Sequence, residues 1–121
     1  FRKSEMLNSS FDKVFLSEVD FSDSKITSTI FLDTVLEACN FYNTNIKDSE
    51  FTNSKLTNIN FLGFKIATSK FNNVSFINCN LKGVNFQGSE FNNVSFDGSD
   101  LSGAIWTDGR ICATGSIGVC N

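Results

Sequence analysis

Histidine and proline are both absent from the 121 residues of this chain. Without histidine there is no Ser–His or Cys–His nucleophile pair, and the common zinc ligand sets are excluded. The chain also lacks a P-loop, a GxGxxG motif and a GxSxG motif. We therefore predict a protein that is not an enzyme, with no catalytic residue, no cofactor and no metal site.

Long apolar runs and a strong excess of either charge are missing as well. No segment has the pattern of a membrane span or of a signal peptide, and because the chain starts at Phe1 rather than Met, we expect a processed or excised form. Thirteen acidic and ten basic residues are mixed along the chain, giving a net charge of −3. We expect neither a nucleic-acid partner nor membrane insertion.

Phenylalanine, by contrast, is abundant, and large apolar residues recur at every fifth position. The series runs without a gap through 23 positions, and at 40% apolar content its chance probability is about 10⁻⁹. Its members are Phe1, Met6, Phe11, Leu16, Phe21, Ile26, Phe31, Leu36, Phe41, Ile46, Phe51, Leu56, Phe61, Ile66, Phe71, Phe76, Leu81, Phe86, Phe91, Phe96, Leu101, Trp106 and Ile111. Such a repeat must reflect the architecture of the fold.

A period of five fits neither an α-helix nor a straight strand, because it distributes the apolar residues over all faces. A small or β-branched residue usually lies two positions before each large one, as Val74 does before Phe76. Residues two apart share one face of an extended segment, so both columns can point into one core. The remaining polar residues then form a corner and the outside. Each pentad is predicted to be one side of a closed coil.

Four sides close this coil best. Up to about residue 70 the large positions alternate between Phe and an aliphatic residue, and four sides place the Phe residues in two opposite columns. The same arrangement explains why the hexapeptide FNNVSF occurs at both 71–76 and 91–96. We predict that the two copies are the same stretch of wall on successive coils, with Phe71 directly under Phe91.

This pattern over residues 1–111 resembles the pentapeptide-repeat family. The resemblance implies an all-β fold, a right-handed quadrilateral parallel β-helix with about 20 residues per coil and five to six coils. Ile59 and Phe64 depart from the family pattern, because they lie where small residues are preferred. We expect the coil to bulge or repack around them.

Two cysteines belong to the inner column and two to the tail. Cys39 and Cys79 lie two coils apart, roughly 9–10 Å, which is too far for a disulfide, so we expect buried free thiols. After Trp106 the repeat is lost, Cys112 falls at an outward position, and Cys120 follows across a glycine-containing segment. We predict that a Cys112–Cys120 disulfide fixes residues 112–121 as a cap on the β-helix.

Such a tail is similar to the ends of some exported bacterial members of the family. A structural disulfide indicates an oxidising compartment, so we predict a periplasmic or extracellular protein. Reduced thiols in a cytoplasmic protein are the alternative.

Four apolar residues, Phe15, Ile30, Leu32 and Val35, fall at outward positions in the first two coils. A clustered apolar surface often marks an interface, so we predict contact with a protein partner or with a second copy of the chain. Cover by an upstream segment, or exposure without function, is the alternative.

Outside this patch, a column of alternating charge (Glu50, Lys70, Glu90 and Arg110) is predicted to set the register of the coils.

Taken together, these features favour an exported structural or protein-binding solenoid. Some relatives suggest a second interpretation, because they resemble double-stranded DNA in shape and charge and protect DNA gyrase from quinolones. Those relatives depend on a strongly acidic surface, whereas the charge of this chain is nearly balanced.

Overall fold

The computed structural model describes residues 1–121, which wind into a tube of short strands with no helix. No part of the chain forms a helix with the length and apolar character of a membrane span. The strands are β1 (Glu5–Leu7), β2 (Ser10–Asp12), β3 (Phe15–Ser17), β4 (Lys25–Thr27), β5 (Ile30–Leu32), β6 (Val35–Glu37), β7 (Asn45–Lys47), β8 (Glu50–Thr52), β9 (Lys55–Thr57), β10 (Lys65–Ala67), β11 (Lys70–Ile77) and β12 (Glu90–Ser95).

The strands stack into the walls of a square tube. The first wall contains β1, β4, β7 and β10. The second contains β2, β5, β8 and the starts of β11 and β12, and the third contains β3, β6, β9 and the ends of β11 and β12. Single bridges between residues such as Asn40 and Asn60 form the fourth wall. Paired positions are twenty residues apart and parallel, as Phe71 is with Phe91. The predicted quadrilateral parallel β-helix is confirmed.

A left-handed residue turns the chain at every corner. Positive φ angles recur at every fifth position from Lys3 to Gly103. Asn, Asp and Gly are frequent there because they tolerate this conformation better than other residues. The next positive φ after Gly103 belongs to Gly109, six residues on instead of five. The regular winding therefore ends between these two glycines.

Two columns of phenylalanine rings stack inside opposite walls of the tube. Rings of Phe31 and Phe51 stack with centroids 4.4 Å apart, and those of Phe21 and Phe41 stack at 4.9 Å. All four side chains are at most 2% exposed. Burying one such side chain contributes roughly 1.5–3 kcal/mol, and the equally buried Ile and Leu residues of the other two columns contribute a similar amount each.

The small inner residues link successive coils by hydrogen bonds. The hydroxyl of Ser54 donates to the Phe31 carbonyl at 3.2 Å, and the Thr34 N–H donates to the same hydroxyl at 3.3 Å. Buried polar groups need such partners, which explains why Ser and Thr are acceptable inside an apolar tube.

Ile59 and Phe64 are accommodated by repacking and not by a bulge. Both are buried, and the Phe64 ring packs edge-on against the Phe61 ring at 4.8 Å. The next residue, Lys65, keeps its pairing with Asn45, so the register is unchanged.

The tail corrects two of the sequence predictions. Ile111 was predicted to continue the inner column but is 69% exposed, and Cys112 was predicted to point outward but is 1% exposed. The reason is a chain reversal, since Ile105 pairs with Ile111 in an antiparallel bridge. A disulfide joins Cys112 to Cys120, whose Cα atoms are 4.9 Å apart.

Candidate interaction surface

The four outward apolar residues of the first two coils form one surface around a corner, which we call the corner patch (Phe15, Ile30, Leu32 and Val35). Phe15 and Val35 are register partners on the third wall, whereas Ile30 and Leu32 lie two apart on β5 of the second wall. Phe15 is 62% and Ile30 is 45% exposed, and the other two are half-buried. The structure therefore places the two pairs on adjacent walls, as predicted.

Polar residues limit the corner patch on the side of the third coil. Glu50 follows Ile30 in register, Thr52 follows Leu32, and Lys55 follows Val35. At the corner itself, the exposed Asp33 separates Leu32 from Val35, so the patch consists of two apolar pairs on either side of a carboxylate.

Other exposed apolar side chains were not singled out from the sequence. Tyr42 and Leu62 lie twenty residues apart on the fourth wall and are 50% and 52% exposed. The repeat could have located them, because both directly follow an inner Phe at a position that is polar in other coils. Ile117 and Val119 of the tail are also exposed, but no repeat predicts the direction of their side chains.

A ladder of side-chain amides follows the corner between the second and third walls. The amide groups of Asn53, Asn73 and Asn93 each donate to the residue one coil below at 3.0 Å, and the series ends at the Asp33 carboxylate. All four residues have φ between 51° and 54°. The ladder thus joins four coils at a surface that neighbours the corner patch.

The predicted column of alternating charge is only partly present. Lys70 lies between Glu50 and Glu90 in register, but none of the three forms an ion pair. Arg110 has left the column with the tail and pairs with Asp108 at 3.7 Å. The prediction for Arg110 was wrong because the chain reverses before residue 110.

Two carboxyl groups of the fourth wall are held in the ionised form. The hydroxyl of Ser102 donates to Asp100 at 2.6 Å and its N–H at 3.0 Å, which lowers the pKa of Asp100. Hydrogen bonds from Ser22 lower the pKa of Asp20 in the same way. A carboxyl group with a lowered pKa is a poor general acid at neutral pH.

The inner cysteines are free and buried, as predicted. Burial raises the pKa of both the Cys39 and the Cys79 thiol. The neutral thiol is a weak nucleophile, so neither residue has the environment of a reactive cysteine. No three His, Cys, Asp or Glu side chains are close enough together to hold a metal ion.

Comparison with known proteins identifies the family to which the chain belongs. Residues 4–75 match the family described as "Pentapeptide repeat region", and residues 69–105 match "Pentapeptide repeats (8 copies)". The chain belongs to the pentapeptide-repeat family. No curated protein matches the sequence.

Solved structures with a similar fold come from several sources. A pentapeptide repeat protein of the Arabidopsis thaliana thylakoid lumen is 22% identical, with a TM-score of 0.52 over 91% of this chain and 70% of that one. HetL from the cyanobacterium Nostoc sp. strain PCC 7120, described as involved in heterocyst differentiation regulation, is 13% identical, with a TM-score of 0.43 over 84% of this chain. This chain spans only 51% of HetL.

The plasmid-mediated fluoroquinolone resistance protein QnrB1 is 15% identical, with a TM-score of 0.34 over 84% of this chain and 71% of that one. At 22% identity, the similarity to the thylakoid-lumen protein establishes the fold and not a shared function.

Proposed function

We propose that the protein is a non-enzymatic, exported solenoid that binds a protein partner through its corner patch. The observation that supports this most is the exposure of Phe15 (62%) and Ile30 (45%) on adjacent walls of a rigid tube. A large apolar side chain at such a position contributes little to the core. The free energy of burying its exposed part is gained only when a partner covers it.

The rigidity of the tube favours binding further. Backbone pairing and the amide ladder hold the second and third walls in place, so little conformational entropy is lost when a partner binds. Export is supported by the Cys112–Cys120 disulfide, because structural disulfides persist in oxidising compartments. That no catalysis takes place is inferred from the lack of histidine and of nucleophile motifs.

The charge distribution does not favour the DNA-mimicry interpretation. Lys25, Lys55, Lys65 and Lys70 lie on the walls among the acidic residues, and the net charge is only −3. A surface that imitates DNA needs a regular excess of negative charge.

Substitution of Phe15 tests the proposed surface. Phe15→Ser is expected to leave the midpoint temperature of thermal unfolding nearly unchanged. It is expected to remove partner binding, measured by pull-down, or self-association, measured by sedimentation. Tyr42→Ser is the matched control, because Tyr42 is similarly exposed on the fourth wall. Unchanged partners and oligomeric state in Phe15→Ser would rule out the corner patch.

The oxidation state of the tail tests export. Mass spectrometry of alkylated native protein, with and without reductant, is expected to show Cys112 and Cys120 protected until reduction. Two free thiols at these positions in native material would contradict export.

A further inference from the structure

The upper edge of β12 has no strand above it. β12 pairs with β11 on its lower side only, because the chain reverses near Gly109 before it can form a sixth coil on the second wall. In the coils below, the equivalent edge is fully paired. There the Asn53 N–H donates to the Asn72 carbonyl at 2.9 Å.

At the upper edge the corresponding groups have no hydrogen-bond partner. They include the N–H groups of Phe91 and Asn93 and the carbonyl groups of Ser89, Phe91 and Val94. The Ser89 hydroxyl is also buried without a partner. An open edge of this kind is a template for pairing with another extended chain.

An apolar groove of about 510 Å³ lies above this edge. Its apolar lining includes Phe91, Val94, Phe96, Trp106 and Val119. Phe91 and Val94 are half-buried here, whereas a covering coil leaves their counterparts Phe71 and Val74 only 1% exposed. The groove thus occupies the place of the missing coil.

The ends of the open edge carry negative charge. Glu90 begins β12 and Asp97 follows it, both exposed and neither in an ion pair. Residues 83–109 contain no Lys or Arg, and the other two acids in that range are paired with Lys82 and Arg110. Lys70 lies one coil below Glu90 in register but does not pair with it, so the upper side of the rim still favours a basic occupant.

We propose that the edge of β12 binds an extended peptide as an added strand, with a large apolar side chain in the groove and a Lys or Arg opposite Glu90 or Asp97. The unpaired backbone groups provide the strand contacts, the groove selects the apolar residue, and the acidic rim selects the basic one. This site lies in the last coils, away from the corner patch, so it does not depend on the proposed function.

The chain itself provides a probe for this site. The segment KFNNVSF at residues 70–76 pairs with the lower edge of β12, with Lys70 opposite Glu90 and Phe71 opposite Phe91. We would use this heptapeptide, acetylated and amidated, as the ligand. Trp106 is the only tryptophan in the chain and lines the groove, so its fluorescence reports docking directly.

Titration of the intact protein with this peptide should give a saturable change in the fluorescence emission of Trp106. Replacing the first Phe of the peptide by Ser is expected to weaken binding tenfold or more, because a buried Phe contributes about 1.5–3 kcal/mol. Replacing its Lys by Glu is expected to weaken binding about two- to fivefold. In Glu90→Lys protein the preference between the Lys and Glu peptides should reverse.

Two further variants separate docking from folding. Val119→Asp places a charge at the groove on a side chain that is 55% exposed, so the fold should persist while peptide binding is lost. Glu37→Lys reverses an exposed charge on the third wall of the second coil and should bind both peptides as the parent does.

Three results would overturn the proposal. The first is no saturable change at millimolar peptide, and the second is equal affinity for the Phe and Ser peptides. The third is a dimer of the free protein that Val119→Asp dissociates, since the occupant would then be a second copy of the chain.

Discussion

The two copies of FNNVSF have the same sequence but different surroundings. At 71–76 the hexapeptide lies under another coil, and Phe71 and Val74 are 1% exposed. At 91–96 no coil follows on the same walls, so Phe91 and Val94 are only half-buried. The rings of Phe71 and Phe51 stack nearly parallel with centroids 5.1 Å apart, whereas the rings of Phe71 and Phe91 meet at 83°.

This comparison shows that position in the stack, and not local sequence, determines what a repeat does. A repeat with neighbours on both sides stabilises the tube through nearest-neighbour contacts. The same repeat with one neighbour keeps unused hydrogen-bond groups and apolar surface, both of which a ligand can use.

Truncation of the two equivalent phenylalanines should have unequal effects. Phe71→Ala is expected to lower the free energy of unfolding by about 3–5 kcal/mol, because it leaves a cavity between two coils. Phe91→Ala should cost about half as much, since part of its ring is already in contact with solvent. Chemical denaturation measures both values, and equal losses would contradict the difference in burial.

Removal of the Cys112–Cys120 disulfide tests whether the tail stabilises the coil that contains residues 91–96. Replacing Cys112 and Cys120 by Ser should lower stability by about 2–3 kcal/mol, the loop-closure entropy of a short loop. The double variant Cys39→Ser, Cys79→Ser is the control, because Ser99 already occupies the position equivalent to Cys79 in the next coil. If the variant without Cys112 and Cys120 were as stable as this control, the disulfide would not stabilise the tube.

The amide ladder should also distinguish the two copies. Asn73 both donates and accepts in the ladder, whereas Asn93 only donates. Asn73→Ala is expected to cost about 1–2 kcal/mol, because Ala is strained at the φ of 54° and both hydrogen bonds are lost. Asn73→Gly should lower the stability less, since Gly accepts this φ. The loss for Asn93→Ala should lie between those of the two Asn73 variants. Thermal unfolding of the three variants measures this order.

The buried thiol of Cys79, which lies three residues after the covered copy and beneath Ser99, should make the stability depend slightly on alkaline pH. Burial raises the pKa of Cys79 above its ordinary value of 9.0, so the folded protein retains a proton that the unfolded chain loses. Stability should therefore decline as the pH rises above about 9, where the unfolded state binds fewer protons. Cys79→Ser should reduce this decline, and an identical pH profile would contradict the assigned burial.

Much of the fold could be predicted because each pentad repeats the same physical requirement. An inner Phe or Leu and a small inner neighbour define the wall, and the chain has nearly no choice of register once the columns are set. The corner patch could be found for the same reason, since Phe15 and Ile30 are apolar where the repeat is polar.

The tail could not be predicted in this way. Ile111 continues the apolar series in sequence, but the backbone has already reversed at Gly109. No periodic signal marks such a reversal, because it depends on tertiary contacts of the cap. For the same reason the open edge of β12 was not foreseen, although its sequence is that of the covered copy.

The decisive measurement is residue-specific amide hydrogen exchange in the folded protein, comparing the segments 71–76 and 91–96. It reports whether the backbone N–H groups of each segment are hydrogen-bonded to a coil above. The N–H groups of Phe71, Asn73 and Phe76 face the coil above and should be strongly protected, whereas those of Phe91 and Asn93 should exchange quickly. The N–H of Asn92 and Ser95, which face β11, should remain protected and act as internal controls. Equal protection of Asn73 and Asn93 in the free monomer would contradict an open edge at β12.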